Sequence, residues 1–385
     1  MAAVTGQTVL VLGGGVGGVA AANRLRRGLD RRHKVVLVNR DPDFTFAASY
    51  LWVMSGRRRA AQVTRPLPKL GRRGIEVVIG QVPHIDPATR TVTVDGRELN
   101  ADHLVVALGA DYATGRVPGL AEHGHTFATL SGAQTLAGDL DRIESGRVVV
   151  VTAAPLYKCP AAPYEAALLI DAGLRRRGRR GQVQVAVRSA EPTPMPVAGA
   201  NVSKAVEEIL SQRGIDYLPG RQISTAEPGR IRFADDTTED TDLLVYMPPI
   251  AAPPVIADSP LAAGDGWIHA DPHTLATGFD GVYAIGDTNQ ILLANGKPLP
   301  RAGVFAHSQA HVVADTIIAA IGGKPSSARF DGHGGCFIET GSGRAAYGTG
   351  DFYADPAPDV SLHRPARRWH WSKVAFEQQV MRRWL

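Results

Sequence analysis

The sequence predicts an α/β protein built from two Rossmann-like, doubly wound domains followed by a C-terminal region. Three observations predict it. Apolar, β-branched runs alternate with helical patterns along most of the chain, the rhythm of parallel strands joined by crossover helices. The first run ends in the glycine cluster Gly13-Gly14-Gly15-Val16-Gly17-Gly18. A second strand-to-helix junction, Val148 to Glu165, repeats that frame but carries Cys159 between prolines where the glycines belong. The corresponding division is 1–115 and 261–325 for the first domain, 116–260 for the second and 326–385 for the C-terminal region.

Taken in order, Thr8 to Leu12 delivers the glycines, of which Gly13, Gly15 and Gly18 fit the G-x-G-x-x-G spacing. That spacing gives a tight turn, close backbone approach to a pyrophosphate and close helix-on-strand packing, at the N-terminus of a helix read from Val19 to Leu25. A second β run, Lys34 to Val38, puts Asn39 and Arg40 where a ribose-binding acid is expected. Asn39 bonds hydroxyls as donor and acceptor, and Asp41 is the alternative. The aromatic stretch Phe44 to Gly56 lacks the Cys-x4-Cys pair of glutathione-reductase-like enzymes, which argues against that subgroup. Short strands follow at Ile75 to Gly80, Thr91 to Val94 and Glu98-Leu99, with Asp95-Gly96 as a hairpin turn. The strand from Asp102 ends in a small-residue turn at Gly109, resembling the second fingerprint of flavin enzymes and favouring FAD over a lone NAD.

The middle region reads as strand Val148 to Val151, helix Pro163 to Arg177, strand Gln182 to Val187, helix Val202 to Gln212 and returning strand Asp242 to Pro249. It is doubly wound without a phosphate loop. Gly281 to Asp287 then forms a strand ending in Gly286-Asp287, where a carboxylate suits the hydroxyls of a ribityl chain. The segment Leu299 to His307 opens a helix through Ile321 whose positive end, with Arg301, suits negative charge on a reduced flavin ring. Gly334 to Glu339 and Tyr347 to Tyr353 read as strands. In the tail, Trp369, Trp371 and Trp384 beside arginines and Lys373 suit a membrane interface. Winding 371–385 as a helix spreads its apolar residues around the circumference, so a packed helix or a dimer contact fits as well.

Composition bounds the function. At 385 residues, 44% hydrophobic and 21% charged, the chain is an ordinary globular protein with room for a large core. Its charge of +5 sits in scattered arginine runs with no interleaved aromatics, which argues against nucleic-acid binding. Two cysteines are too few for a disulfide scaffold or a zinc ribbon. Met1 to Gln7 lacks a basic segment followed by a long apolar run, so the expected location is the cytoplasm, or its face of the cell membrane. A homo-oligomer stays open.

The motifs Gly13-x-Gly15-x-x-Gly18, Tyr157-Lys158-Cys159-Pro160-x-x-Pro163-Tyr164-Glu165, Gly286-Asp287, Leu299 to Phe305, Gly335-Cys336-Phe337 and the Trp/Lys-rich tail together carry a likeness. The chain resembles the sulfide:quinone oxidoreductase and flavocytochrome c sulfide dehydrogenase flavoproteins, of the FAD-dependent pyridine-nucleotide-disulfide oxidoreductase type, over essentially its full length. The resemblance implies FAD held by Gly13, Gly15, Gly18, Asn39, Arg40, Gly109, Gly286, Asp287 and Gly303. It implies a Cys159/Cys336 redox pair beside the flavin, Glu165 as proton carrier, sulfide or a related sulfur species as donor, quinone as acceptor, and a membrane surface met by the tail. Read without the resemblance, two cysteines this far apart are more often two unrelated buried thiols. Lys158 and the helix start after Cys159 both favour a thiolate there. Hydrosulfide attack on a bridged pair leaves a persulfide on one cysteine and a thiolate on the other. The chain departs from many quinone-linked members in lacking a third cysteine between 110 and 158, and in the Ile250-Ala251 that follows Pro248-Pro249. The competing readings are an NAD(P)H dehydrogenase of type II kind, the flavin subunit of a flavocytochrome, and a non-catalytic flavin-binding protein.

Overall fold

The computed structural model describes residues 6–384. Met1 to Thr5, most of the segment behind the cytoplasmic expectation, and Leu385 at the end of the tail lie outside the described residues. The first domain opens with β1 (Thr8–Leu12), α1 (Val16–Gly28) and β2 (Lys34–Asn39). Then come the short α2 (Tyr50–Met54), β3 (Glu76–Ile79) and β4 (His103–Val106). Before β4 an antiparallel meander runs through Asp95 and Gly96, both at positive φ as a two-residue hairpin turn requires. Helix α1 starts three residues earlier than the sequence suggested, inside the glycine cluster, because helix geometry begins as soon as the turn at Gly13–Gly15 is complete.

The second domain comprises β5 (Gly124–Thr126), α3 (Leu130–Arg142), β6 (Gly146–Thr152), α4 (Ala162–Arg176), β7 (Val183–Arg188), α5 (Ala200–Gln212), β8 (Asp216–Leu218) and β9 (Leu243–Met247). The chain then returns with β10 (Val282–Ala284) and α6 (Gly303–Ile321). It ends in β11 (His333–Gly341), β12 (Arg344–Asp351), β13 (Asp359–Ala366) and α7 (Arg367–Arg383).

Two five-stranded parallel sheets result, ordered β10-β4-β1-β2-β3 and β5-β9-β6-β7-β8. Strands covered on both faces need unbroken apolar runs, and Val9 to Leu12 and Val148 to Val151 are almost completely inaccessible to solvent. This is the doubly wound α/β fold expected. Helix α6 is long and apolar enough to cross a bilayer, but it lies packed along α1 with Phe305, Ala310, Val313, Ala314 and Ile317 in the core.

The C-terminal sheet, β11-β12-β13, is antiparallel and lays β11 across α4. The approach is close: a Cβ on Gly341 would come within 2.3 Å of the Ala172 methyl. That packing brings Cys336, on β11, to the N-terminal end of α4, where Cys159 lies.

Candidate active site

The glycine turn has the form of a pyrophosphate cradle. Gly13 sits at φ +103°, and a Cβ there would meet the Ala107 carbonyl oxygen at 2.2 Å. A Cβ on Gly18 would meet the Gly13 carbonyl at 1.8 Å, which fixes α1 against the turn. Gly15 differs, with nothing within 4 Å of its would-be Cβ. Helix α1 has no side-chain cap and no acid in its first turn, so its N–H groups and positive dipole end face an anion with no competitor. Gly303, at the start of α6, lies within van der Waals reach of Val16, so two helix N-termini converge here. Gly109 and Gly286 are at φ +75° and +72°. These features fit a dinucleotide.

Asn39 stands at the end of β2 with its amide already engaged. Its Oδ1 accepts from the Gly14 N–H at 2.7 Å, and its Nδ2 donates to the Asp41 carbonyl at 2.8 Å. It therefore ties the glycine turn to β2, leaving a second lone pair on Oδ1 for a ribose hydroxyl. Arg40 is exposed and pairs with Asp41 at 3.2 Å. Asp287 faces Lys158 Nζ at 3.7 Å. Beside it the buried Arg301 donates to the Asp287 carbonyl at 3.0 Å and to Gln290 Oε1 at 3.3 Å, with its guanidinium 3.9 Å above the Trp267 ring. Burial pushes Arg301 down to about 10, so it stays cationic at neutral pH.

Cys159 and Cys336 are free, half-buried thiols lining one cavity of about 60 Å³ with Pro160, Glu191, Met195, Ala302, Phe305 and Phe352. The backbone of Cys159 is left-handed at φ +54°. It is pinned there by its N–H, which donates to the Arg301 carbonyl at 2.8 Å, and by its carbonyl, which accepts from Ala162 at 2.8 Å. A cysteine in this region costs about 1–2 kcal/mol that glycine would not. The interaction between the two thiols holds Cys336 below its ordinary value and, with burial, pushes Cys159 well above it. The reduced pair thus ionises at Cys336 first.

The neighbouring cation is not the one the sequence pointed to. Lys158 turns away to Asp287 and the Tyr112 ring. The ammonium that stabilises both thiolates belongs to Lys373 on α7, buried and hydrogen-bonded to the equally buried Glu165. Burial raises Glu165 while Lys373 pulls it back. For Lys373, burial acts downward and is outweighed by Glu165 and Glu339, leaving it above its usual value. Glu339, on β11, is fully buried and held by Arg57 at 3.3 Å and His370 Nδ1 at 2.8 Å. Glu377, one turn after Lys373, accepts from Arg58 at 2.8 Å and Ser49 Oγ at 2.6 Å. The inner face of α7 is therefore ionic at Lys373 and Glu377 and apolar further on, at Val380 and Met381. Trp371 lies on its outer side, 65% exposed, while Phe376, 36% exposed, packs edge-on against the buried Phe46 at its flank.

The sequence profile of the pyridine nucleotide-disulphide oxidoreductases matches residues 7–310. The chain belongs to this family. It is a flavin-dependent oxidoreductase, as expected from its motifs. Among curated members of the family it is 27% identical to the sulfide-quinone reductase of Aquifex aeolicus, over 97% of this chain and 90% of that one. It is 22% identical to the mitochondrial sulfide:quinone oxidoreductase of Mus musculus, over 90% and 79%. The crystal structure of the Aquifex aeolicus sulfide:quinone oxidoreductase superposes with a TM-score of 0.88 at 24% identity, covering 98% of this chain and 92% of that one. The resemblance drawn from the motifs is thereby borne out.

The structure brings Cys159, Cys336 and Glu165 together, and gathers Gly13, Gly15, Gly18 and Gly303 at the two helix N-termini. Arg40 stands apart on the surface. Lys373, Glu339 and Glu191 were missed. Glu191, in the Ala-Glu-Pro turn after β7, gave no periodic or motif signal, and Lys373 read as one cation of a basic tail.

Proposed function

We propose that this protein is an FAD-dependent oxidoreductase that oxidises sulfide through a Cys159/Cys336 redox pair and delivers the electrons to quinone. The observation that carries the reading is the placement of both thiols on one cavity, against a buried Glu165–Lys373 pair. FAD would be held by Gly13, Gly15 and Gly18 at its pyrophosphate and by Asp287 at its ribityl hydroxyls, with Gly109, Gly286 and Gly303 leaving room for it. When bound it supplies the two-electron acceptor for the dithiol. The two similar proteins described above are named for sulfide and quinone, which supports the same donor and acceptor here.

The chain's own residues do the rest. With the thiols bridged, hydrosulfide attacks one sulfur: a new S–S bond forms, the bridge breaks, and the departing cysteine leaves as a thiolate. Lys373 lowers the cost of that charge, as it does for both thiols in the reduced pair. Glu165 holds Lys373 in place and is a buried acid close enough to act on both thiols, suited to take protons released when the bridge reforms. The strand-to-helix junction where a nicotinamide cofactor would need its phosphate loop is occupied by Tyr157 to Pro160. The outward Trp371 suits a membrane surface from which quinone is drawn.

Anaerobic stopped-flow mixing of the FAD-loaded protein with sulfide, NADH and NADPH, followed by a short-chain quinone, tests this. Rapid bleaching by sulfide alone and recovery with quinone is expected. Bleaching by NADH with none by sulfide would overturn it.

A further inference from the structure

Glu191 is a buried acid that this chemistry leaves unused. It is 5% exposed and lines the thiol cavity. Its partners are phenols rather than cations: Tyr157 and Tyr164 both donate to Oε2, the latter at 3.2 Å. Ser189 Oγ accepts from the Glu191 N–H at 3.2 Å, Tyr217 lies edge-on to Tyr164, and the surface Lys297 is bonded to the Pro196 carbonyl. Burial pushes Glu191 up to about 7, with the two phenols and Lys297 acting the other way. The three tyrosines are themselves pushed far above neutral, chiefly by burial. Within this cluster only Glu191 changes charge near neutral pH. Glu165, by contrast, is tied to Lys373.

We propose that Glu191 is the base that takes the proton from an incoming S–H group at the Cys159/Cys336 pair, so that the cavity admits uncharged hydrogen sulfide or a very small thiol and disfavours sulfur oxyanions. This rests on the sulfide reading above. The remaining walls are apolar, from Met195, Val197, Ala198, Phe305 and Phe352, and the cavity of about 60 Å³ has room for only a few atoms. A carboxylate in such a space repels sulfite or thiosulfate and accepts a hydrogen bond from S–H. The step balances. Hydrogen sulfide, the bridged cysteines and the Glu191 carboxylate become a cysteine persulfide, a cysteine thiolate and a protonated Glu191.

The test compares wild type with Glu191→Gln, which keeps the acceptor oxygen for both phenols. The ratio of their sulfide-driven bleaching rates cancels the titration of sulfide itself. That ratio is expected near one at pH 5.5, where Glu191 is protonated in the wild type, and about a hundredfold or more above pH 8. Tyr157→Phe removes a hydrogen bond to the carboxylate and is expected to move the midpoint upward. In infrared spectra without sulfide, a carboxyl band present in wild type and absent in Glu191→Gln should vanish with a midpoint near pH 7. A ratio that is flat with pH, or no such band, overturns the assignment of Glu191 alone. Wild type that sulfide does not bleach overturns the sulfide reading and this proposal together.

Discussion

Replacing Lys373 by methionine keeps most of the side-chain volume and removes the charge, leaving Glu165 buried opposite nothing. Breaking a buried pair from one side costs about 3–5 kcal/mol. With about 2 cal/mol/K of unfolding entropy per residue, the 385-residue chain has about 0.8 kcal/mol/K in all, so the melting temperature should fall by about 4–6 °C. The pH dependence follows from the two partners. Burial already raises Glu165, and without Lys373 it rises further. A carboxyl raised on folding weakens the protein most above its folded value, where it must be buried ionised; the penalty shrinks as pH falls through that value and is gone below the ordinary carboxylate value. Lys373, raised on folding, contributes fully below the ordinary lysine value and so is constant from pH 5.5 to 8. The deficit of Lys373→Met should therefore be largest near pH 8 and shrink toward pH 5.5. Glu165→Gln added to it should recover part of the loss. Differential scanning fluorimetry at several pH values reads all three. An equal deficit at both ends of the range, or a double variant as unstable as the sum of the singles, refutes the reasoning.

Gly18→Ala puts a methyl into the Gly13 carbonyl and should reduce flavin content at least tenfold, read as flavin absorbance per protein; full occupancy would show that the turn yields. In the reduced protein, iodoacetamide near pH 7 should label Cys336 at least about tenfold faster than Cys159, because the thiolate is the nucleophile. Peptide mapping that finds Cys159 labelled first counts against the assigned order of ionisation. Trp371→Ser should weaken sedimentation with anionic vesicles by at least about tenfold while the melting temperature stays put, since that ring is mostly in solvent. Unchanged vesicle binding counts against a membrane contact through α7. Deleting residues 364–385 is a poorer test, because it also removes Lys373 and Glu377 from the interior.

Both parallel sheets were legible in the sequence because a doubly covered strand has one signature, an uninterrupted apolar run, and Val9–Leu12 and Val148–Val151 have it. The glycine cradle was legible because close backbone approach leaves no other residue type at Gly13 and Gly18. What failed did so for stated physical reasons. Strand β13 went unread because an edge strand with four exposed residues and Pro365 carries no apolar alternation strong enough to see. The tail could not be oriented by its apolar residues because α7 buries Lys373 and Glu377 along with Val380 and Met381 and leaves Trp371 outside, so charge and apolar character do not separate by face. Lys158 was given to Cys159 on sequence adjacency, whereas the left-handed turn at Cys159 sends the neighbouring side chains in different directions, one to Asp287 and one to the cavity. Glu165 was found through its motif, and its partner, 208 positions away, could come only from the fold.

The backbone at Cys159 has a consequence for how this protein tolerates change. A φ of +54° is glycine's territory, and the peptide groups of Arg301 and Ala162 hold it there whatever side chain is attached. Selection for stability alone therefore pulls this position toward glycine, the very residue a nucleotide-binding turn would carry, and under the function proposed above only the chemistry of sulfur pulls it back. Loss of the sulfur substrate should leave a fold that drifts without penalty toward glycine at 159, whereas the extended backbone around Cys336 has no such bias. A glycine at that single position in a relative with Cys336 intact would mark a chain that has kept its flavin and abandoned its dithiol.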